Sequence, residues 1–489
     1  MQSSFSTLDW SIFAGYFALL GISSYMLSRV KITSSREYFI SANSMPMFAV
    51  AVSVLATSQS AATFLGAPEF SYKNDFTFIG FYLSALVAVV FVAYVLIPRF
   101  YEIRAVTVYE LLEKRYGKTA KVQAGIMFLL GRILASGARL YIGALAISMI
   151  LFTDISAWHV GISILILVLC ALAYTYFGGV KSVILSDVIQ ALTYVGAGVV
   201  VLVFLYIQLE SVEIFATLEA YGKLRFIDTS LGGNFSVAGL LSGWLLLNIA
   251  AFGLDQDMTQ RVLSCKNKKE AAKSLIVSIL LTIPVVLLFL AIGALLFVFY
   301  QQSEVVQNFE GEKITIFMYY ILHEMPEGLR GLVTVGAIAA ALSSTNSVLG
   351  AMASVAVEDI YKPWRLKKGD VDEMHFVHAS RKAVLFFALI LSAMAIVSYF
   401  WQRYSELSLI SFALGVMAFA YTGLLGVFFS AIFTSRGNSK TVPWALAGGF
   451  FTVLALQPYS FGITLGFSWQ IVIGTLVAFG VMQTGAKDE

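Results

Sequence analysis

The chain has 489 residues, of which 59% are hydrophobic and 12% charged, with a net charge of +3 and a mean hydropathy of +0.83. An ordinary globular protein carries about twice that share of charge. Composition therefore excludes a soluble enzyme or nucleic-acid-binding protein and points to an all-α polytopic membrane protein whose main partner is the lipid bilayer. Only Cys170 and Cys265 are present, too few for a disulfide framework or a thiolate metal site. The four histidines sit at helix ends or in loops, and no pair has a metal-ligand or catalytic spacing at one membrane depth.

Thirteen apolar runs approach the roughly twenty residues needed to cross the hydrocarbon core. They cover 8–28, 46–71, 76–98, 122–151, 157–177, 182–207, 236–257, 272–300, 328–358, 377–400, 405–432, 442–457 and 464–483. The first follows an N-terminus with no basic residue and precedes no small-residue cleavage site, so it reads as a retained helix. Of the 32 Lys and Arg, 24, Arg261 among them, fall on one set of alternate loops and helix ends, six on the other, and Arg132 and Arg139 inside the fourth span. By the positive-inside rule the N-terminus is outside and the C-terminus cytoplasmic.

The second span carries a polar, interruptible patch at mid-depth, Ala56–Thr57–Ser58–Gln59–Ser60–Ala61–Ala62–Thr63, followed by Gly66, Pro68 and Glu69. Phe78, Phe81 and Tyr82 follow in the third span as candidates to gate or stack on a substrate. In the fourth, Arg132 and Arg139 are seven apart, hence nearly on one face, with Ser136 between them. An arginine at that depth needs a cavity or a partner. An anionic substrate is one such partner; backbone carbonyls or an acid are the structural alternative.

Asp187 lies about one and a half turns into the sixth span, where a carboxylate is costly. It either pairs with a loop lysine such as Lys181 or helps to bind a cation near Ser347. The seventh span ends Phe252–Gly253–Leu254–Asp255–Gln256–Asp257–Met258–Thr259–Gln260–Arg261, a second polar, glycine-containing break. Breaks five spans apart are the spacing of two five-helix repeats, here 46–207 and 236–432, with 8–28 before them and 442–483 after. Broken helices in matching positions mark a transporter binding site.

The ninth span contains Gly336–Ala337–Ile338–Ala339–Ala340–Ala341–Leu342–Ser343–Ser344–Thr345–Asn346–Ser347. Ala340, Ser343, Ser344 and Ser347 share one helical stripe. Such a stripe serves a close helix–helix contact or a hard-cation site. Sodium asks for about five or six oxygens with no directional bonding. Carbonyls at the Ala56–Gln59 break, the Ala340 carbonyl and the Ser343 and Ser344 hydroxyls would provide them and clamp the second span to the ninth.

Glu37–Tyr38–Phe39–Ile40–Ser41–Ala42, Gly178–Gly179 with Asp187–Val188–Ile189–Gln190, Gln256–Asp257–Met258–Thr259–Gln260–Arg261, and Ala339–Ala340–Ala341–Leu342–Ser343–Ser344 with Asp359–Ile360–Tyr361 together resemble the solute:sodium symporter family over nearly the whole chain. Within it, the chain is most similar to the bacterial sodium-coupled sialic acid transporters. The resemblance implies a LeuT-type 5+5 inverted-repeat fold with one extra helix before the core and two after it, and Na⁺ as the coupling ion. It implies a general sodium site at Ala56, Gln59, Ala340, Ser343 and Ser344. A second site, found in part of the family, would use Asp187, Ser343, Asn346 and Ser347. Substrate would meet Ser58, Ser60, Thr63 and Asn248.

Two departures stand out. The sialic acid transporters have Ser where this chain has Asn346, whose amide oxygen can still coordinate. Their carboxylate-binding Arg has Ala135 as its ungapped equivalent here, flanked by Arg132 and Arg139, either of which would restore the charge. The expected function is sodium-coupled symport of a small polar solute, sialic acid or another organic anion, by alternating access. A neutral sugar, polyol or amino acid is the alternative cargo. An ion channel or a non-transporting solute sensor is the alternative of another class. Nothing in the sequence points to an obligate protein partner.

Overall fold

The computed structural model describes residues 5–28, 32–209, 212–230, 233, 235–300, 308–309, 312–405, 409–462 and 465–486. The helices that carry the architecture are α1 (Thr7–Ser28), α2 (Met47–Ser58), α3 (Ala61–Lys73), α4 (Ile79–Glu102), α5 (Glu110–Tyr116), α6 (Lys118–Phe152) and α7 (Ala157–Gln208). They continue with α8 (Val237–Leu254), α9 (Gln256–Leu263), α10 (Lys268–Phe299), α11 (Leu329–Leu366), α12 (Glu373–Ser405), α13 (Leu409–Phe433), α14 (Val442–Ala455) and α15 (Phe467–Gln483). Asn308–Phe309 and Glu312–Lys313 form a two-residue antiparallel hairpin outside the bundle.

Eight of the described helices are long and apolar enough to cross a membrane, and nine if the bent pair α2–α3 counts as one span. Two of the thirteen predicted runs, 157–177 and 182–207, are joined without a loop in the 52-residue α7. The hinge is Gly179, whose backbone (φ 55, ψ −155) is open essentially to glycine alone. A Cβ there would also collide with the Tyr38 carbonyl oxygen. Gly179→Ala is therefore expected to cost about 1–3 kcal/mol from backbone strain alone, read as a lowered thermal unfolding temperature in detergent.

Lipid tails are as apolar as leucine, so helices in a bilayer associate through close packing and polar contacts rather than hydrophobic transfer. Small residues provide the approach. A Cβ at Gly143 of α6 would lie 2.8 Å from the Ala341 Cβ of α11 and 3.5 Å from that of Ala61 in α3. One glycine notch thus gathers the start of α3 and the small-residue stripe of α11 on the central helix α6.

Both polar breaks exist as backbone features. Between α2 and α3 the chain bends by 63°, with Gln59 (φ −85, ψ 142) and Ser60 (φ −141, ψ 174) extended. Carbonyls in the last turn of α2 are left without intrahelical donors, as at any helix end. Between α8 and α9, a π-helical turn at Ala250–Leu254 runs into extended Asp255 (φ −88, ψ 121), which then N-caps α9 through Asp257 N–H.

The polar stretches around these breaks serve as latches. Gln256 accepts from Val108 N–H and donates to the Val106 carbonyl and Ser354, and Gln260 donates to the Phe39 carbonyl. Tyr38 in turn donates to the Thr175 carbonyl at 2.6 Å.

Candidate functional site

The side chains expected to meet substrate share one cavity. Ser58, Ser60 and Thr63 line it from the α2–α3 break, Arg132 and Arg139 from α6, and Asn248 from α8. Phe78, Phe81 and Tyr82 form an aromatic side, with Phe78 and Phe81 stacked at 6.1 Å. Phe252, Met258, Met417 and Tyr421 complete the wall. These four carry no periodicity that separates them from packing residues, so nothing in the sequence marks their side chains as cavity-lining.

The two arginines have different surroundings. Arg132 is 3% exposed and bound to acids of the second break. Its Nε donates to Asp255 at 3.1 Å, and its Nη2 meets Asp255 at 2.5 Å and Asp257 at 3.2 Å. Tyr421 donates to the same Asp255 carboxylate. This is the structural pairing with an acid, and it commits Arg132 to the fold. Arg139, two turns further along α6, has no carboxylate partner among the described residues. Its Nη2 points to the Met417 sulfur at 3.0 Å, and a smaller cavity connects it with Ser136 and with Ser344 and Thr345 of α11.

Asn248 is fully buried. Its Nδ2 donates to the Phe81 carbonyl at 3.1 Å, while its Oδ1 has no hydrogen-bond partner among the described residues. A buried polar atom left unmet costs about 1–3 kcal/mol, so it fits a site that a polar ligand completes. Gln59 is similar: its Nε2 reaches Tyr82 at 3.4 Å and its Oε1 has no partner.

Asp187 lies at a second focus and is completely buried. It does not pair with Lys181; that expectation is corrected. Ser53 donates to its Oδ2 at 2.5 Å and Ser343 to its Oδ1 at 2.9 Å, and Arg261 forms an ion pair with it at 3.2 Å. Arg261 also binds the Asp257 carboxylate at 3.0 Å and the Asp257 carbonyl at 2.6 Å. This arginine was counted among the cytoplasmic loop charges from sequence, but it is 1% exposed. The break that ends α8 turns α9 back into the protein, so Arg261 points inward instead of toward water.

A continuous buried chain results: Arg132, Asp255 and Asp257, Arg261, then Asp187 with Ser53 and Ser343. It runs from the cavity wall to the small-residue stripe. The clue was available, since Asp255, Asp257 and Arg261 all sit at or next to the end of an apolar run, where charges are expensive.

The stripe on α11 divides by hydrogen bonding. Ser343 is turned to Asp187, whereas Ser344 donates to the Ala341 carbonyl at 3.0 Å, with Ala340 at 3.5 Å. Ser347 donates to the Ser344 carbonyl. Neither polar atom of the Asn346 amide has a partner among the described residues, although the residue is fully buried. The same holds for Gln190, one turn beyond Asp187. Ala56 is buried in the last turn of α2. Among the described residues there is no cluster of three His, Cys, Asp or Glu suited to a tightly held metal.

The sodium/sialic acid symporter SiaT of Proteus mirabilis is 30% identical over 96% of this chain and 93% of its own length. The sodium/sialic acid symporter NanT of Aliivibrio fischeri is 30% identical over 97% and 92%. A solved Na⁺-coupled sialic acid symporter, in a substrate-bound outward-open state with a novel Na⁺ site, superposes with a TM-score of 0.82 at 27% identity, covering 98% of both chains. The fold is that of the LeuT-type transporters. The model of the sodium:solute symporter family matches residues 38–450, and the chain belongs to that family.

Proposed function

We propose that this protein imports sialic acid together with Na⁺ by alternating access. The observation that carries the choice of an anionic sugar is Arg139: a guanidinium facing the cavity with its charge unmatched by any described carboxylate. A substrate carboxylate supplies the missing partner, and the hydroxyls of Ser58, Ser60 and Thr63 with the free Asn248 oxygen suit a polyhydroxylated body. The sialic acid symporters among the relatives favour the same cargo.

In this reading the general sodium is held by carbonyls at Ala56 and Gln59, the Ala340 carbonyl, and the hydroxyls of Ser343 and Ser344. Bound there, the ion joins the broken α2–α3 pair to α11 and favours the form that receives substrate. By linkage, sodium and substrate raise each other's affinity by the same factor. A second sodium would use Asp187, Ser343, Asn346 and Ser347. Two features support it. The buried chain holds three carboxylates against two guanidinium groups, one cation short, and the amides of Asn346 and Gln190 await a partner.

The topology we propose has thirteen spans, with α7 counted as two about Gly179, and repeats at 46–207 and 236–432 that each open on a broken helix. The basic-residue bias supports an outside N-terminus and a cytoplasmic C-terminus. Moving Arg261 out of the loop count leaves that bias intact; Arg29, Lys31 and Lys487 lie outside the described residues.

Proteoliposomes with an inward sodium gradient test the function. Labelled sialic acid should accumulate above its external concentration and leak back once an ionophore dissipates the gradient. Flux that only equilibrates would indicate a channel, and binding without flux a sensor. Ser344→Ala should keep its fold and raise the sodium needed for half-maximal uptake about tenfold, the loss of one hydroxyl–cation contact. An unchanged sodium requirement would remove Ser344 from the site.

A further inference from the structure

We infer that the protein carries a binding site for an anionic phospholipid where the end of α4 meets α5 and the end of α13. An open cleft there is lined by Arg99, Leu111, Lys114, Arg115, Ala431 and Ile432. Three cations face it, and none forms an ion pair with a carboxylate among the described residues. Arg99 donates to the Val95 carbonyl and Arg115 to the Thr434 carbonyl, the latter at 3.2 Å, which leaves further N–H groups of each fork unassigned.

The acids on the same short helix are turned away. Glu110 accepts from the Val106 and Thr107 N–H groups, and Glu113 pairs with Lys121 at 2.5 Å. Positive charge is thus concentrated in the cavity instead of cancelled within the helix. The requirement is for a singly or doubly charged phosphate group.

The position in the membrane selects a lipid as its bearer. Arg99 lies in the last turn of a span, at the level where hydrocarbon gives way to headgroups. Leu111, Ala431 and Ile432 give the cavity an apolar side suited to the start of acyl chains. Next to Ile432 in the chain, Phe433 is 61% exposed, and Tyr94, five residues before Arg99, is 71% exposed, an apolar surface suited to acyl chains. Basic pockets between spans on the cytoplasmic side bind phospholipid headgroups in this manner. The leaflet follows from the proposed orientation, whereas the affinity does not depend on the transport reading.

Native mass spectrometry of the detergent-purified chain tests it, with phosphatidylglycerol and phosphatidylcholine of matched acyl chains as probes. Wild type should retain phosphatidylglycerol preferentially. Lys114→Gln, at a side chain with no hydrogen bond or ion pair among the described residues, should lower that affinity about fivefold, the effect of roughly 1 kcal/mol per cation near an anionic surface. Arg99→Gln/Lys114→Gln/Arg115→Gln should abolish the preference, and Lys367→Gln, an exposed charge elsewhere in the proposed cytoplasmic set, should leave it. Equal retention of the two lipids by wild type, or an unchanged preference in Lys114→Gln, overturns the site. Displacement of the lipid by millimolar inorganic phosphate overturns the lipid in favour of a soluble phosphate.

Discussion

Arg139→Gln is expected to weaken sialic acid binding about 30- to 1,000-fold while the protein unfolds near the wild-type temperature. The range is the loss of about 2–4 kcal/mol, one or two charge-assisted hydrogen bonds to a carboxylate in a water-poor cavity. Folding should change little because Arg139 meets only the Met417 sulfur. Arg132→Gln should behave in the opposite sense. Removing it leaves Asp255 and Asp257 without their guanidinium partner, and breaking a buried pair costs about 3–5 kcal/mol. Thermal unfolding of both variants, set beside sodium-dependent binding of sialic acid and of a neutral hexose, separates the roles. If Arg139→Gln bound sialic acid as tightly as wild type, the carboxylate would lie elsewhere and the neutral-solute alternative would gain. If Arg132→Gln lost affinity but no stability, the two assignments would be reversed.

The contrast between these arginines shows what a sequence can and cannot convey about such a site. Their depth in an apolar helix and seven-residue separation are visible in one dimension, and both do line the cavity. Which one is already neutralised depends on Asp255, 123 positions away in the chain. That proximity arises only after the α8–α9 break bends the backbone. Arg261 failed for the same reason: at the edge of an apolar run it reads as a loop charge, and only the inward turn of α9 makes it a buried one. The polar breaks themselves were legible, because Gly, Ser, Gln and Asp in a span have few explanations other than interrupted helix. Asp187 was legible as an anomaly but not in its partners. Ser343 and Ser344 are adjacent in sequence, yet a 100° step on the helix sends one hydroxyl to Asp187 and the other back to the Ala341 carbonyl.

Arg261→Leu should damage the buried chain about as much as Arg132→Gln. It leaves three carboxylates, Asp187, Asp255 and Asp257, facing the single guanidinium of Arg132, and a loss of about 3–5 kcal/mol follows from the uncompensated charge. Asp187→Asn removes one carboxylate and leaves two acids against two arginines, a balanced set in which Arg261 keeps both of its bonds to Asp257. Its fold should survive, while sodium loses the carboxylate that meets the α11 stripe at Ser343. The charge count predicts that the double replacement Arg261→Leu/Asp187→Asn is more stable than Arg261→Leu alone by about 1–3 kcal/mol, the coupling expected of residues in one network. Unfolding of the four proteins in detergent measures the cycle, and sodium titration of uptake by Asp187→Asn reads the second ion. Additive losses would show that Asp187 and Arg261 stabilise the protein independently. A steeper sodium dependence in Asp187→Asn than in wild type would exclude a cation at that carboxylate. Restored stability with shallower sodium dependence is the expected pair of results, because Arg261 then serves the fold by holding Asp257 while Asp187 is left to serve the ion.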